Sequence, residues 1–358
     1  MRGSNLWRLS VIITRTPMRI SFFGGGTDYP VYYREHGGSV LSTTIDKSCY
    51  ITSRWLPPFF EYHSRISYSK VENVASNSKI EHPSVRACLE LMGIEGGVEV
   101  HHVADLPART GLGTSSAFTV GFLLGLYALK NQMRDKHALT ADAIHVERDM
   151  LQEAVGSQDQ ASCAHGGFNR INFHTNDAIE VNRILAAPSR IAELEQHLAL
   201  YFTGFSRTAS EIAKDQLKAT PQRLKELKEM HQMVDEAEAI VTNPARSLDE
   251  FGSLMHQGWQ LKRSLTQKIS NSSIDEIYAA GLSAGALGGK LLGAGGGGFM
   301  LFFVPPAKKG ALRQCLKNLL CVPFAFSNRG SDVVVYEPEV AYDKSLATDR
   351  SEIYAQRS

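Results

Sequence analysis

"GLGTSS", Gly111–Ser116, runs directly into "AFTVGFLLGLYALK", residues 117–130. Two glycines and three hydroxyls therefore precede a segment that is apolar almost all round and reads as a buried helix over 115–130. The first N–H groups of a helix lack intrahelical partners and carry partial positive charge, so a helix start attracts anions. Glycine lets a ligand approach the backbone closely. A phosphate could sit on Gly111, Leu112, Gly113, Thr114, Ser115 and Ser116, with the hydroxyl of Ser115 or Ser116 turned toward Mg²⁺. No Lys follows the glycines, so this is no Walker A loop. A tight turn with a serine N-cap is the plain alternative.

The rest of the chain bounds the answer. Its 358 residues, 43% hydrophobic, suffice for more than one average domain. A net charge of +1, from 38 basic and 37 acidic residues, favours neither nucleic acid nor a membrane surface as partner. The five cysteines are odd in number and include no C-x-x-C, which argues against a disulfide framework or a zinc cluster. Reduced thiols and a cytoplasmic location are expected, and a homodimer is left open. No apolar run approaches the roughly 20 residues of a membrane span. "LWRLSVIIT", broken by Arg8, reads as a strand rather than a leader.

Strand signals fall at "VIITR", "RISFF", "SCYITSRW" and "VEVHHV". "SVRACLELMG" reads as a helix closed by Gly93, and residues 140–153 as another with Thr140 as N-cap. The second half is richer in helices. One starts near Pro221, and one comes after the Ser247…Glu250 capping box. "FMLFFV" is a compact buried strand. A boundary near 185–198 divides the chain into 1–190 and 191–358.

Three further stretches carry chemistry. "GAGGGG", Gly293–Gly298, formally matches G-x-G-x-x-G, but a strand comes after it where a dinucleotide site needs a helix. A glycine-lined wall against a ligand or another backbone fits better than a flexible turn. "RISFFGGGTDY" places Arg19 on a strand and Asp28 in the turn after Gly24–Gly26, either as an Asx-turn or as a carboxylate that accepts sugar hydroxyls. "ERDMLQEAVGSQDQ" holds Glu147 on a helix and Asp159 beyond Gly156. A solvated helix carboxylate would explain Glu147 alone.

Together, in this order, the four stretches resemble the GHMP small-molecule kinases over roughly residues 12–304. The wording of "RISFFGGGTDYP", "EHGGSVLSTTIDK", "DLPARTGLG", "GSQDQ" and "GGKLLGAGGGGF" is similar to the branch acting on D-glycero-D-manno-heptose 7-phosphate. Galactokinases read G-E-H-T-D-Y where this chain has Gly25 and Gly26, which makes galactose a poor substrate guess. The resemblance implies an α+β fold of two domains. The first would hold a left-handed β-α-β unit and the second would be ferredoxin-like. It also implies ATP and Mg²⁺ as cofactors, a sugar phosphate as substrate, and a product on the way to nucleotide-activated heptose for surface polysaccharide.

Carried over by residue, it makes "GLGTSS" the ATP phosphate loop. Ser115 and Glu147 become Mg²⁺ ligands, Asp159 the catalytic carboxylate, and Arg19 the cation that steadies the phosphoryl or the attacking oxygen. Asp28, Gly25, Gly26, Gly295 and Gly296 would face the substrate. Arg207, in "TGFSRTAS", is the candidate for the distal phosphate. Lys262 and Arg263 are alternatives that a solvated helix face would equally explain.

Overall fold

The computed structural model describes residues 6–57, 59–204, 209–337 and 340–343. Two long strands, Val11–Phe23 and Gly38–Trp55, form the spine of a nine-stranded sheet. They pair antiparallel from Val11↔Arg54 to Phe23↔Leu41. The second strand is long enough to serve two partners. Its C-terminal half pairs with Val98–Ala104 and its N-terminal half with Phe168–Phe173. Ser64–Ser67 runs parallel to Val98–Ala104, and helix Pro83–Leu91 lies in the crossover between them. The strands expected from β-branched and aromatic runs are all present.

The helix Thr114–Leu129 packs on this sheet, and most of its length is buried, including Ala117, Val120, Phe122, Leu123 and Leu126. It shares a core with Ile12, Ile51, Val85 and Val100. Residues 140–153 do not form the expected helix. Asp135 is the N-cap and accepts from the Ala138 N–H at 2.9 Å. Thr140 lies in mid-helix and donates its hydroxyl to the Lys136 carbonyl at 2.7 Å. The helix Lys136–Ile144 then widens into a turn of π-helix, His145–Met150.

A second sheet has the order Gly288–Leu291, Gly298–Phe303, Leu198–Gly204, Leu320–Val322, all antiparallel. Counted along the chain these are strands two, three, one and four, which is the ferredoxin-like arrangement. Helices Leu224–Thr242, Asp249–Leu265 and Ser272–Ser283 belong to this half. One hydrophobic cluster joins the halves. Met18, Ile20 and Phe22 of the first sheet pack with Leu200, Phe251, Leu301 and Phe303. The last strands do not obey a single division after residue 190. Phe326–Ser327 and Asp332–Tyr336 return to the first sheet and pair with its two long strands.

Candidate active site

The ladder between the two long strands shifts register between Pro17 and Arg19, a bulge that re-aims the chain at this residue. Arg19 is nearly fully buried. Its backbone N–H donates to the Leu112 carbonyl at 3.0 Å and its Nη1 to the Gly111 carbonyl at 2.7 Å. Its Nε and Nη2 donate to the two oxygens of Asp159, each at 2.8 Å. One side chain therefore clamps the glycine loop to the carboxylate. Burial opposes the charge on Arg19, but Asp159 outweighs it and holds the guanidinium pKa above its usual value. The Asp159 side chain retains 26% exposure against 5% for Arg19, so the carboxylate is the member of the pair open to a ligand.

Gly113 is the N-cap of the helix, with φ +72°. A Cβ there would lie 3.0 Å from Arg19 Cγ and 3.6 Å from Asp159 Oδ2. The helix has no side-chain cap and no acidic residue in its first turn. The serine N-cap alternative is not what folds, and an uncapped helix start lies beside the Arg19–Asp159 pair.

Ser115 and Ser116 part company here. Ser115 is exposed, whereas Ser116 is buried and donates its hydroxyl to Glu147 Oε2 at 2.8 Å. Neighbouring helical residues point about 100° apart, so only one of the two can face Glu147. Of the two serines, Ser116 is the one paired with Glu147. Glu147 is 1% exposed and lies on the π-turn, a distortion frequent at functional sites. Its Oε2 also accepts from Gln160 Nε2 at 2.5 Å, while Oε1 is buried without a partner. Burial pushes its pKa up to about 7, against the pull of the hydroxyl and amide donors. An orphaned carboxylate oxygen beside a serine hydroxyl is a hard-oxygen donor set that suits Mg²⁺. No cluster of three or more His, Cys, Asp or Glu exists among the described residues. A metal would thus rest on this pair and on phosphate oxygens.

Asp28 is buried in the turn after Gly24–Gly26. Its Oδ1 accepts from the Gly26 N–H at 2.9 Å and its Oδ2 from the Gln158 N–H at 3.4 Å. The bond to Gly26 runs two residues back, so this is not an Asx-turn, and the second bond docks the turn on the segment that carries Asp159. Burial raises the Asp28 pKa. A Cβ built on Gly25 would be in ordinary contact with Gln158 Nε2 at 3.8 Å and Ser21 Oγ at 3.9 Å, whereas Gly26 lies closer to Gln216 and Leu227.

The second glycine run meets backbone. A Cβ on Gly293 would lie 2.4 Å from Gly111 Cα, and one on Gly298 2.4 Å from the Thr110 carbonyl. Gly295 abuts Ile269, and the Gly296 N–H is committed to the Ile269 carbonyl at 3.1 Å. Gly295 and Gly296, expected to face the substrate, both meet Ile269. Arg207 lies outside the described residues. Arg263 is paired with Asp275 at 2.7 Å. Lys262 is buried, and its pKa falls to about 8 through burial and Arg19, against Asp28 and Asp159. Sequence reasoning gave it no more weight than Arg263, because both sit in one amphipathic run.

A phosphate-type loop on an uncapped helix start, an Arg–Asp clamp and a Ser–Glu pair define a phosphotransferase site. The GHMP kinases N terminal domain matches residues 80–167 and the GHMP kinases C terminal domain residues 233–320, and the chain belongs to this family. It is a phosphotransferase that acts on a hydroxyl group. It is 30% identical over 322 residues to the D-glycero-alpha-D-manno-heptose 7-phosphate kinase of Campylobacter jejuni, covering 87% of this chain and 94% of that one. To the L-fucokinase/L-fucose-1-P guanylyltransferase of Bacteroides fragilis it is 26% identical, over 85% of this chain and 35% of the relative. Its fold matches a solved D-glycero-D-manno-heptose 1-phosphate kinase from Bacteriodes thetaiotaomicron with a TM-score of 0.73 at 24% identity, over 89% of this chain and 97% of that one. No described helix is long and apolar enough to cross a membrane.

Proposed function

We propose that this kinase transfers the γ-phosphoryl group of ATP to the anomeric C1 hydroxyl of D-glycero-D-manno-heptose 7-phosphate, giving the 1,7-bisphosphate and ADP. The observation that carries the chemistry is the bidentate Arg19–Asp159 pair lying against Gly113 at an uncapped helix start. The substrate rests on the 30% identity that spans 94% of the Campylobacter heptose phosphate kinase.

In this reading the first-turn N–H groups after Gly113 hold ATP phosphate oxygens. Asp159, fixed at both oxygens by Arg19, aligns the C1 hydroxyl and accepts its proton as the new O–P bond forms. Arg19 positions that carboxylate and adds positive charge where the phosphoryl passes. Glu147 and Ser116 would hold Mg²⁺, which supplies neutralisation of the β- and γ-phosphate charge when bound. Asp28 anchors the turn that borders the acceptor, and Gly25 leaves room there. The fucokinase relatives favour a second reading, a 1-kinase acting on an unphosphorylated sugar.

An ATP-consumption screen over sugars and sugar phosphates, with ³¹P NMR of the product, separates the two. Heptose 7-phosphate should be preferred, and the new phosphate should sit on the anomeric carbon. Fucose or galactose turned over as efficiently would reject the substrate assignment and leave the kinase assignment standing.

A further inference from the structure

Two lysines that the catalytic scheme does not use are buried beside the Gly24–Gly26 turn. Lys262 lies on the helix Asp249–Leu265 and Lys290 on the strand Gly288–Leu291, at 7% and 8% exposure. Both line a narrow cleft of about 10 Å³, room for roughly one water, together with Phe22, Phe23, Gly24 and Trp259. Gly24, at the start of the turn that carries Asp28, is one of the lining residues.

Among the described residues neither ammonium is in a close ion pair, although Asp28 and Asp159 act on Lys262 from farther away. Lys262 Nζ donates to the Gly293 carbonyl and, at 3.5 Å, to that of Leu291. Lys290 Nζ donates to the Phe22 carbonyl at 2.8 Å. Among the described residues no carboxylate oxygen lies within 4.0 Å of either nitrogen. Carbonyls satisfy hydrogen bonds but supply no net charge, and burying a cation without an opposite charge is costly. Burial drives the Lys290 pKa well down, and repulsion from Lys262 and Arg19 adds to it. Such a cost is recovered when an anion binds between the two. The other cation of this helix segment, Arg263, is already taken by Asp275.

We propose that Lys262 and Lys290 form an anion subsite that takes the phosphomonoester carried by the acceptor sugar. The inference rests on the sugar-phosphate reading above and names the residues that give it specificity. Compact ammonium groups bind phosphate as point charges, through charge-assisted hydrogen bonds. The Lys262 ammonium lies within electrostatic reach of both Asp28 and Asp159, so an acceptor held by its phosphate would lie against the two carboxylates.

The test compares the wild-type protein with Lys262→Met, Lys262→Arg and Lys290→Met. The first measurement is the ratio of kcat/KM for D-glycero-D-manno-heptose 7-phosphate to that for the unphosphorylated heptose. Losing a buried charge partner should lower this ratio roughly 30-fold or more in both Met variants. Lys262→Arg should recover part of it. An equal loss with both sugars would assign Lys262 to the reaction centre and overturn the subsite. A lowered Tm with the ratio intact would overturn it as well and leave the lysines as struts between strands.

The second measurement is the thermal shift induced by sugar phosphates, by the same sugars without phosphate and by inorganic phosphate. Stabilisation should require the phosphate and should vanish in Lys262→Met. If another phosphorylated sugar proves to be the substrate while this pattern holds, the heptose assignment fails and the subsite stands. If heptose 7-phosphate is the substrate while the variants bind it normally, the subsite fails and the assignment stands.

Discussion

Replacing Glu147 with Gln exposes what a buried carboxylate costs this fold. Burial lifts its pKa from 4.5 to about 7. Between those values the folded protein holds a proton that the unfolded chain has released. The associated stability is therefore present in full below pH 4.5 and is lost as the pH rises through about 7. The gap, at about 1.36 kcal/mol per pH unit, comes to about 3 kcal/mol. Most of it, about 2.5 kcal/mol, disappears between roughly pH 5 and 8.

The Gln side chain keeps an oxygen for Ser116 Oγ and Gln160 Nε2. It adds a donor where Oε1 has no partner, a cost that does not vary with pH. The slope is therefore the quantity to read, rather than the absolute stability. Urea unfolding in EDTA across this range should show the wild type losing about 2.5 kcal/mol relative to Glu147→Gln. Parallel profiles within about 0.5 kcal/mol would refute the assignment of a titrating buried Glu147. Mg²⁺ with a non-hydrolysable ATP analogue should restore stability to the wild type at the upper end of the range, and much less to the variant. Equal stabilisation of both proteins would remove Glu147 from the metal site.

Asp159→Asn should retain ATP binding, measured by titration, and lose about 10²–10⁴-fold in kcat, because the amide cannot accept the proton. Turnover within about threefold of wild type would take Asp159 out of the chemistry. Gly156→Ala would place a Cβ 1.8 Å from Asp28 Oδ2 and push that carboxylate away from the acceptor. Steady-state kinetics should show about 10²-fold lower kcat/KM for the sugar and little change in KM for ATP, whereas equal effects on both substrates would mean that Asp28 only braces the fold. Gly25→Glu introduces a Cβ that clashes with nothing, its neighbours being Gln158 Nε2 at 3.8 Å and Ser21 Oγ at 3.9 Å. It should penalise phosphorylated acceptors more than unphosphorylated ones, and equal penalties would show that Gly25 does not border the phosphate end.

Much of this architecture is legible in the residues. The all-apolar run after "GLGTSS" can be satisfied only by burial on every side, and it becomes the central helix of the first half. "FMLFFV" is wholly buried for the same reason, its first five residues lying in a strand of the second sheet. Both glycine runs mark places where something comes close. What glycine cannot state is the identity of the neighbour. Gly293 and Gly298 make room for the first loop's own backbone, so the second run buttresses the "GLGTSS" loop. The return of Phe326–Ser327 and Asp332–Tyr336 to the first sheet is pairing across some 280 to 320 residues, which no local pattern encodes.

The finer assignments turn on helix phase. Ser115 and Ser116 are equivalent as letters, and so nearly are Lys262 and Arg263. In each pair a turn of about 100° sends one side chain inward and leaves the other outside. Ser116 reaches Glu147 while Ser115 faces solvent, and Lys262 is buried against the Gly293 carbonyl while Arg263 meets Asp275. Glu147 needs one step more. The π-turn His145–Met150 holds an extra residue, which rotates the side chains of that turn relative to a regular helix. An α-helical wheel drawn through residues 140–153 therefore misplaces the carboxylate. The site thus depends on one irregular turn, two helix phases and one strand bulge at Arg19. Each is a local departure from the regular pattern that otherwise makes the fold readable, and local rules fail first where function constrains the chain.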